Sequence, residues 1–194
     1  MRVTDDRFTR DWRRYHVAFS MVQHSVRTTT IQQWTGLTPY RIQLMYRSYD
    51  GSRSRRRGSP PWRTAIFTQS LTHEMETSAL ANLLVTSRLT LGAEGWPATF
   101  PDVMRAEGII EVYETYRAVL NTNWITLEHV LLLATELDAN STLALKTCTE
   151  CRGIMVTDCL GTVRDRCAFC RSGVPVRPPA SEIARLAPAE NRRS

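Results

Sequence analysis

The residues of this chain best suited to chemistry are cysteines. Four of the five form two C-x-x-C pairs fifteen residues apart, Cys148 with Cys151 and Cys167 with Cys170. A tight turn lets both thiolates of such a pair reach one metal ion, and two pairs complete the tetrahedral four-sulfur site that structural zinc prefers. The sequence therefore predicts one structural Zn²⁺ ion held by these four residues. A rubredoxin-like or iron–sulfur site and a redox dithiol pair are the alternatives that this spacing leaves open.

The surrounding segment, residues 146–173, predicts a small module that needs the metal, because so short a segment cannot bury a sufficient core. Residues 154–156 and 162–163 have β character, with Gly161 between them, and this pattern predicts a hairpin. The glycines just past each pair, Gly153 and Gly173, fit turns that require permissive backbone angles. Cys159 is expected to be an ordinary thiol of the hairpin and not a fifth ligand.

No residues of the sequence form a catalytic constellation. Four thiolates close the coordination sphere of the metal and leave no position for a substrate water. His73 and Glu74 start like a zinc-protease helix, but the second histidine is missing. A glycine-rich phosphate loop and a nucleophilic serine elbow are also absent from the sequence. We therefore expect that the protein is not an enzyme and has no small-molecule substrate.

The charge of the chain suggests a nucleic-acid partner. Its net charge is +6, its pI is about 9.4, and Lys146 is its only lysine. The positive charge is therefore carried by arginine, whose planar guanidinium suits phosphates and guanine edges. A GC-rich coding sequence that writes arginine in place of lysine would give the same bias, but nucleic acid is the commonest partner of an excess positive charge.

The sequence also bears on the cellular location. No apolar run approaches the roughly 20 residues that a membrane-spanning helix needs, and the first residues lead into no secretory segment. An odd number of cysteines, gathered in the last quarter of the chain, favours metal binding in a reducing compartment over a disulfide scaffold. We therefore expect a cytoplasmic protein without a membrane partner.

Residues 28–49 have the pattern of a helix-turn-helix unit. Gly36 occurs where the turn between two helices needs a left-handed residue, and Thr38-Pro39 is a suitable start for the second helix. In such units the N-terminal part of the second helix enters the major groove of DNA. A helical hairpin that only packs or binds a protein has a similar pattern. The residues predicted to contact DNA are Thr38, Tyr40, Arg41, Gln43 and Arg47.

A basic loop, residues 50–63, follows this unit. Its serines, glycines, prolines and charges break the helical pattern, and it carries Arg53, Arg55, Arg56 and Arg57. Beside a groove-reading helix, such a loop can follow the phosphate backbone and add affinity without sequence information. A solvated loop without contacts is the alternative.

Apolar residues at helical spacing predict a mainly α-helical body over residues 1–145, followed by the cysteine module and a proline-rich tail, residues 174–194, that we expect to be disordered. In the first helix the apolar stripe suits packing against one neighbouring helix, from the same chain or from a partner. Further helices are predicted near 67–88, with Leu71, Met75, Ala79 and Leu83 on one face, near 102–120, and from Thr126 onward. The predicted partner-binding residues are Phe8, Trp12, Tyr15, Phe19 and Val22.

Taken together, these features resemble the FlhC family, the larger subunits of the bacterial flagellar master regulator. The resemblance extends from about residue 23 to residue 173. It rests on Gly36-Leu37-Thr38 leading into residues 41–46, on Arg57-Gly58-Ser59-Pro60-Pro61, and on the two cysteine pairs after a helical body. The order and spacing of these pieces are more specific than any one of them.

The resemblance implies a function. FlhC-like proteins bind zinc through four cysteines and work in a hetero-oligomer with FlhD, usually four FlhD and two FlhC subunits. That complex binds double-stranded flagellar promoter DNA and activates transcription with RNA polymerase. The resemblance thus implies a DNA-binding activator subunit that switches on flagellar biogenesis. The alternative is a zinc-stabilised helical adaptor that binds protein partners without reading DNA sequence.

The basic loop yields a first prediction. Replacing Arg55, Arg56 and Arg57 together with glutamine should flatten the plot of log affinity for promoter DNA against log salt, by roughly one unit for each lost phosphate contact. Gel-shift titrations over a salt series measure this slope. An unchanged slope would remove the loop from the DNA interface.

Overall fold

The computed structural model describes residues 5–49, 58–90, 100–120, 124–161 and 164–173, with the backbone alone at 5–8. A mainly helical body precedes a two-stranded hairpin and a cluster of four cysteines, which confirms the predicted fold class. The helices are α1 (Asp5–Gln23), α2 (Thr28–Thr35), α3 (Pro39–Tyr49), α4 (Leu71–Thr86), α5 (Val103–Val119), α6 (Leu127–Ala139) and α7 (Ala168–Arg171). The strands β1 (Leu143–Thr147) and β2 (Ile154–Asp158) follow α6, and a 3₁₀ turn (Thr64–Phe67) precedes α4. Within these ranges, no helix has the length and apolar character needed to cross a membrane.

Several helix ends are set by residues that the sequence already indicates. Helix α2 ends at Gly36, whose φ of +70° lies in the left-handed region that glycine enters readily. Helix α3 begins at Pro39, where a missing N–H costs no hydrogen bond. Thr126 caps α6, and its own N–H donates to Nδ1 of His129 at 3.2 Å. The predicted tail, residues 174–194, lies outside the described part of the chain.

The apolar stripe of α1 divides into a buried and an exposed part. Val22, only 2% exposed, and Val26 belong to the core of this chain, whereas Trp12 and Phe19 are 63% and 39% exposed. The prediction that Val22 contacts a partner is therefore wrong, because its side chain is already enclosed. The core face of α1 consists of Val17, Ala18, Met21 and Val22.

Helix α4 buries a different face from the one predicted. Leu71 and Leu83, expected to point inward, are exposed. The buried positions include polar residues because the C-terminal hairpin and α7 pack on this side of α4 and bond to them. The buried side chains of α4 are Glu74, Thr77, Ser78, Leu80, Ala81 and Leu84.

The hairpin also differs from the prediction. β2 pairs antiparallel with β1, which precedes the first cysteine, so that Leu143 lies opposite Asp158 and Thr147 opposite Ile154. Thr162 and Val163, the expected second strand, lie outside the described residues. Strand β1 crosses the predicted boundary between residues 145 and 146, and both Leu143 and Val156 belong to the core of the helical body. Hairpin and body therefore share one hydrophobic core.

A buried ion pair joins α5 to α6. The guanidinium of Arg105 contacts the carboxylate of Asp138, and both side chains are almost fully buried. Nε of Arg105 also donates to the carbonyl of Leu89 at 2.8 Å, and Oγ1 of Thr90 donates to Oδ1 of Asp138 at 2.6 Å. Together these contacts hold the segment after α4 against α5 and α6.

Replacing Asp138 with alanine should lower the free energy of unfolding by about 3–5 kcal/mol, because it leaves the Arg105 guanidinium buried and uncompensated. Urea denaturation measures the change. Asp11→Ala is the matched control, since Asp11 forms a long, exposed pair with Arg14 at 3.9 Å, and such pairs contribute about 0–1 kcal/mol. Equal effects of the two substitutions would contradict the structural role of the buried pair.

Candidate metal centre

The four paired cysteines converge on one point. The sulfur atoms of Cys148, Cys151, Cys167 and Cys170 all lie within 4.8 Å of one another. Sγ of Cys148 is 3.8 Å from that of Cys170, and Sγ of Cys151 is 3.7 Å from that of Cys167. The two pairs therefore interleave, with each short separation joining one cysteine of the first pair to one of the second.

These separations fit a tetrahedral metal ion such as zinc. A metal–sulfur bond of about 2.3 Å implies a separation of about 3.8 Å between sulfur atoms at the corners of a regular tetrahedron. The two short separations match that value. Four sulfur ligands complete the coordination of such an ion, so the site could hold a metal ion with no position left for water.

A short backbone turn orients the two thiols of the first pair. The N–H of Cys148 donates to the carbonyl of Gly153 at 2.9 Å, and the N–H of Arg152 donates back to the carbonyl of Cys148 at 3.0 Å. The left-handed residue in this turn is Arg152, with φ of +63°, and not Gly153 as the sequence suggests. Gly153 is close to the metal site instead, since a Cβ there would lie 3.4 Å from Sγ of Cys151.

The second pair lies at the start of α7. Cys167 caps this one-turn helix, and the N–H of Cys170 donates to its sulfur at 3.4 Å. Gly173, with φ of +72°, follows the helix and adopts the left-handed angle predicted for it. The N–H of Cys167 donates to Sγ of Cys148 at 3.2 Å, which links the second pair to the first.

When no metal is bound, the protein environment lowers the pKa of one cysteine thiol and raises the pKa of two others. Burial raises the pKa of Cys148, but backbone N–H groups of Cys151, Cys167 and Glu150 outweigh it and lower that pKa to about 6. Burial raises the pKa of Cys167, and burial with the neighbouring thiols holds the pKa of Cys170 well above its usual range. Metal binding therefore releases protons, and metal affinity falls as the pH is lowered.

The site is closed to solvent on most sides. Cys148, Cys167 and Cys170 are buried, Met155 packs against them, and Cys151 is half-buried. Cys159 is exposed and is not one of the grouped ligands, in agreement with the role predicted for it. Among the described residues, these four form the one group of metal-ligating side chains.

The residues predicted to contact DNA lie on another part of the molecule. Helix α3 packs on α1 and α2, whereas the hairpin packs on α4 and α6, and α7 packs on α4. Thr38, Tyr40, Arg41 and Arg47 are exposed, and Gln43 is half-buried. The loop arginines Arg53, Arg55, Arg56 and Arg57 lie outside the described residues.

Two of the predicted partner-binding residues, Tyr15 and Phe19, contact α3, the helix that carries most of the described residues predicted to contact DNA. The Arg41 guanidinium donates to the Tyr15 hydroxyl and stands 5.7 Å from the centre of its ring. Phe19 meets Tyr49 of α3 edge to face, with ring centres 5.4 Å apart, so that Tyr49 extends the exposed aromatic surface of α1. Phe8 belongs to α1, but its side chain is outside the described part of the structure.

Sequence reasoning missed the residues that hold the cysteine module to the body. Nδ2 of Asn82 donates to the carbonyl of Ile154 at 3.2 Å, and the N–H of Val156 donates to Oγ of Ser78 at 3.2 Å. Glu74 accepts from two arginines of the module. A signal was present, since Glu74, Ser78 and Asn82 recur every fourth residue and form a polar stripe along α4.

Replacing Cys148 with serine should abolish stoichiometric metal binding and lower the thermal stability of the module, because three thiolates cannot close the tetrahedron. Metal content per chain and the melting temperature check both effects. Cys159→Ser is the matched control and should change neither. A Cys148→Ser variant that keeps one metal ion per chain would show that the four sulfurs are not the ligands.

The chain matches no protein-family model, and a search of curated proteins finds no match. The cysteines form one closed site, and the polar residues of α3 face solvent beside the aromatic surface of α1.

Proposed function

We propose that this chain is a DNA-binding transcriptional activator subunit that acts with FlhD in a hetero-oligomer at flagellar promoters. The observation that carries the proposal is the unit formed by α2, the Gly36 turn and α3. Its inner residues, Ile31, Leu37 and Ile42, are buried, and its outer residues at the start of α3 are exposed. That is the arrangement in which the second helix of such a unit can enter a major groove.

Charge supports DNA as the ligand of this surface. Residues 27–49 contain three arginines and no aspartate or glutamate. The phosphate backbone attracts such a surface, and no carboxylate of the segment itself opposes the approach. Gln43 can pair with an adenine edge, while Arg41 and Arg47 can reach phosphates or guanine. The mechanism is recognition and recruitment of RNA polymerase, in which no covalent bond is made or broken.

The partner would bind the aromatic surface of α1 and α3, formed by Trp12, Tyr15, Phe19 and Tyr49. Large exposed aromatic side chains are characteristic of protein interfaces, where they supply much of the binding energy. Because this surface adjoins the DNA face through the contact of Arg41 with Tyr15, a partner bound there could also extend along the DNA. We propose FlhD as that partner on the basis of the resemblance to FlhC.

We further propose that the metal is zinc and that its role is structural. Four thiolates in a closed, mostly buried site are the ligand set of structural zinc, and they leave no position for a reacting water. Zinc chemistry then contributes to folding of the module and not to catalysis. A reducing cytoplasm would keep the thiols available for the metal.

The second candidate is a zinc-stabilised adaptor that binds proteins alone. The exposed aromatic surface of α1 supports it, since a protein partner could bind there whether or not the chain also reads DNA. The two candidates differ in whether the chain, bound to its partner, retains promoter DNA in preference to other duplexes.

The decisive experiment compares Gln43→Ala with the wild type, each in complex with FlhD, on a promoter duplex and a scrambled duplex. Loss of one base contact should weaken promoter binding by about 1–3 kcal/mol and leave scrambled-duplex binding unchanged. Gln33→Ala, an exposed glutamine of α2, is the matched control and should have no effect. If the wild-type complex binds both duplexes equally, DNA reading is excluded and the adaptor remains.

A further inference from the structure

Glu74 of the helical body binds the cysteine module through ion pairs. Its side chain is almost fully buried, and both carboxylate oxygens are occupied. Oε1 accepts from Arg164, and Oε2 accepts from Arg171. Both arginines belong to the segment 164–173, which also carries Cys167 and Cys170.

The segment 164–173 has few other attachments. The backbone N–H and the hydroxyl of Thr149 donate to the carbonyl of Asp165 at 2.9 and 3.1 Å, and Arg166 forms an exposed pair with Glu150. These attachments, and the bond from the N–H of Cys167 to Sγ of Cys148, lead to the first cysteine pair and its loop and not to the body. Within the described residues, the body therefore holds this segment chiefly through Glu74 and the packing of α7 on α4.

Packing at this junction is incomplete. A cavity of about 220 Å³ lies between α4 and the module, lined by Glu74, Ser78, Val156, Arg164 and Cys167 among others. Open space therefore lies beside the carboxylate and the arginines, and apolar packing covers only part of this junction.

We propose that Glu74 couples occupancy of the four-cysteine metal site to the helical body. A bound metal fixes Cys167 and Cys170, and with them the two arginines that neutralise the buried carboxylate. Glu74 in turn fixes the segment that supplies two of the four thiolates. Coupling of this kind is reciprocal: the metal must stabilise α4, and Glu74 must strengthen metal binding.

Loss of the metal then has a consequence inside the body. The segment 164–173 is released, its arginines become hydrated, and a buried carboxylate of α4 is left without its partners, which is unfavourable. Helix α4 packs on α5 and α6, so loss of the metal would also affect the packing of these helices. This inference needs only the metal site and is independent of whether the chain reads DNA.

The test compares Glu74→Gln with Glu128→Gln in the full-length chain. Glu128 is the matched control, because it is also buried, slightly more than Glu74, and is paired with Arg27 and Thr30, far along the chain from the cysteines. Competition with a chromogenic chelator gives the dissociation constant for Zn²⁺. Groups bonded directly to metal ligands typically change metal affinity 10- to 100-fold. Glu74 acts less directly, through Arg164 and Arg171, so we expect Glu74→Gln to raise the dissociation constant about three- to tenfold and Glu128→Gln to change it less than about twofold.

A second readout follows the coupling in the opposite direction. Hydrogen exchange of α4 should slow on zinc addition in the wild type and in Glu128→Gln, and the effect should be much smaller in Glu74→Gln. If Glu74→Gln does not fold, Arg171→Gln removes the same pair from the module side and should change both readouts in the same direction. Unchanged zinc affinity, or equal losses in Glu74→Gln and Glu128→Gln, would overturn the proposal.

Discussion

Four sulfur atoms within 4.8 Å of one another are the constraint on which the described part of the cysteine module depends. As thiolates they repel each other, and as buried thiols they contribute little cohesion, so a cation is what makes their convergence favourable. The residues between the pairs are too few for an independent core. The hairpin, the one-turn helix α7 and two left-handed residues, Arg152 and Gly173, are arranged around the sulfurs, and Met155 packs against the site.

The module nevertheless is not a separate body. Leu143 and Val156 of the hairpin lie in the same core as the helices, and Ser78, Asn82 and Glu74 of α4 bond to the module. A helix whose buried side is polar needs partners with matching donors and acceptors. The hairpin edge and two arginines supply them, and this explains why α4 turns a glutamate inward and leaves Leu71 and Leu83 exposed.

The parts of the structure that sequence reasoning identified are those governed by local chemistry. The spacing of the cysteines predicted their convergence, Gly36 predicted the turn after α2, and apolar periodicity located the helices of the body. Most of the failures depend on which segments pack together, although one is local, since Arg152 and not Gly153 takes the left-handed angle in the first cysteine turn. The buried face of α4 is decided by residues some 70 to 97 positions away, and the partner of β2 is a five-residue strand that precedes the first cysteine. The prediction that Val22 contacts a partner is wrong because the apolar stripe of α1 does not by itself show which of its residues the rest of the chain covers.

The location of the metal site also limits what the metal can do. A closed set of four thiolates packed on α4 cannot present the ion to a substrate or to a nucleic-acid phosphate. On the proposed function, DNA and FlhD are contacted instead by α3 and α1, whose outer residues meet at Arg41 and Tyr15. Because a partner that covers Tyr15 also restricts the Arg41 guanidinium, binding at the aromatic surface would orient a residue of the DNA face. Partner binding and DNA recognition would then be linked through one side-chain contact, while a bound metal would act on a different helix, α4, through Glu74.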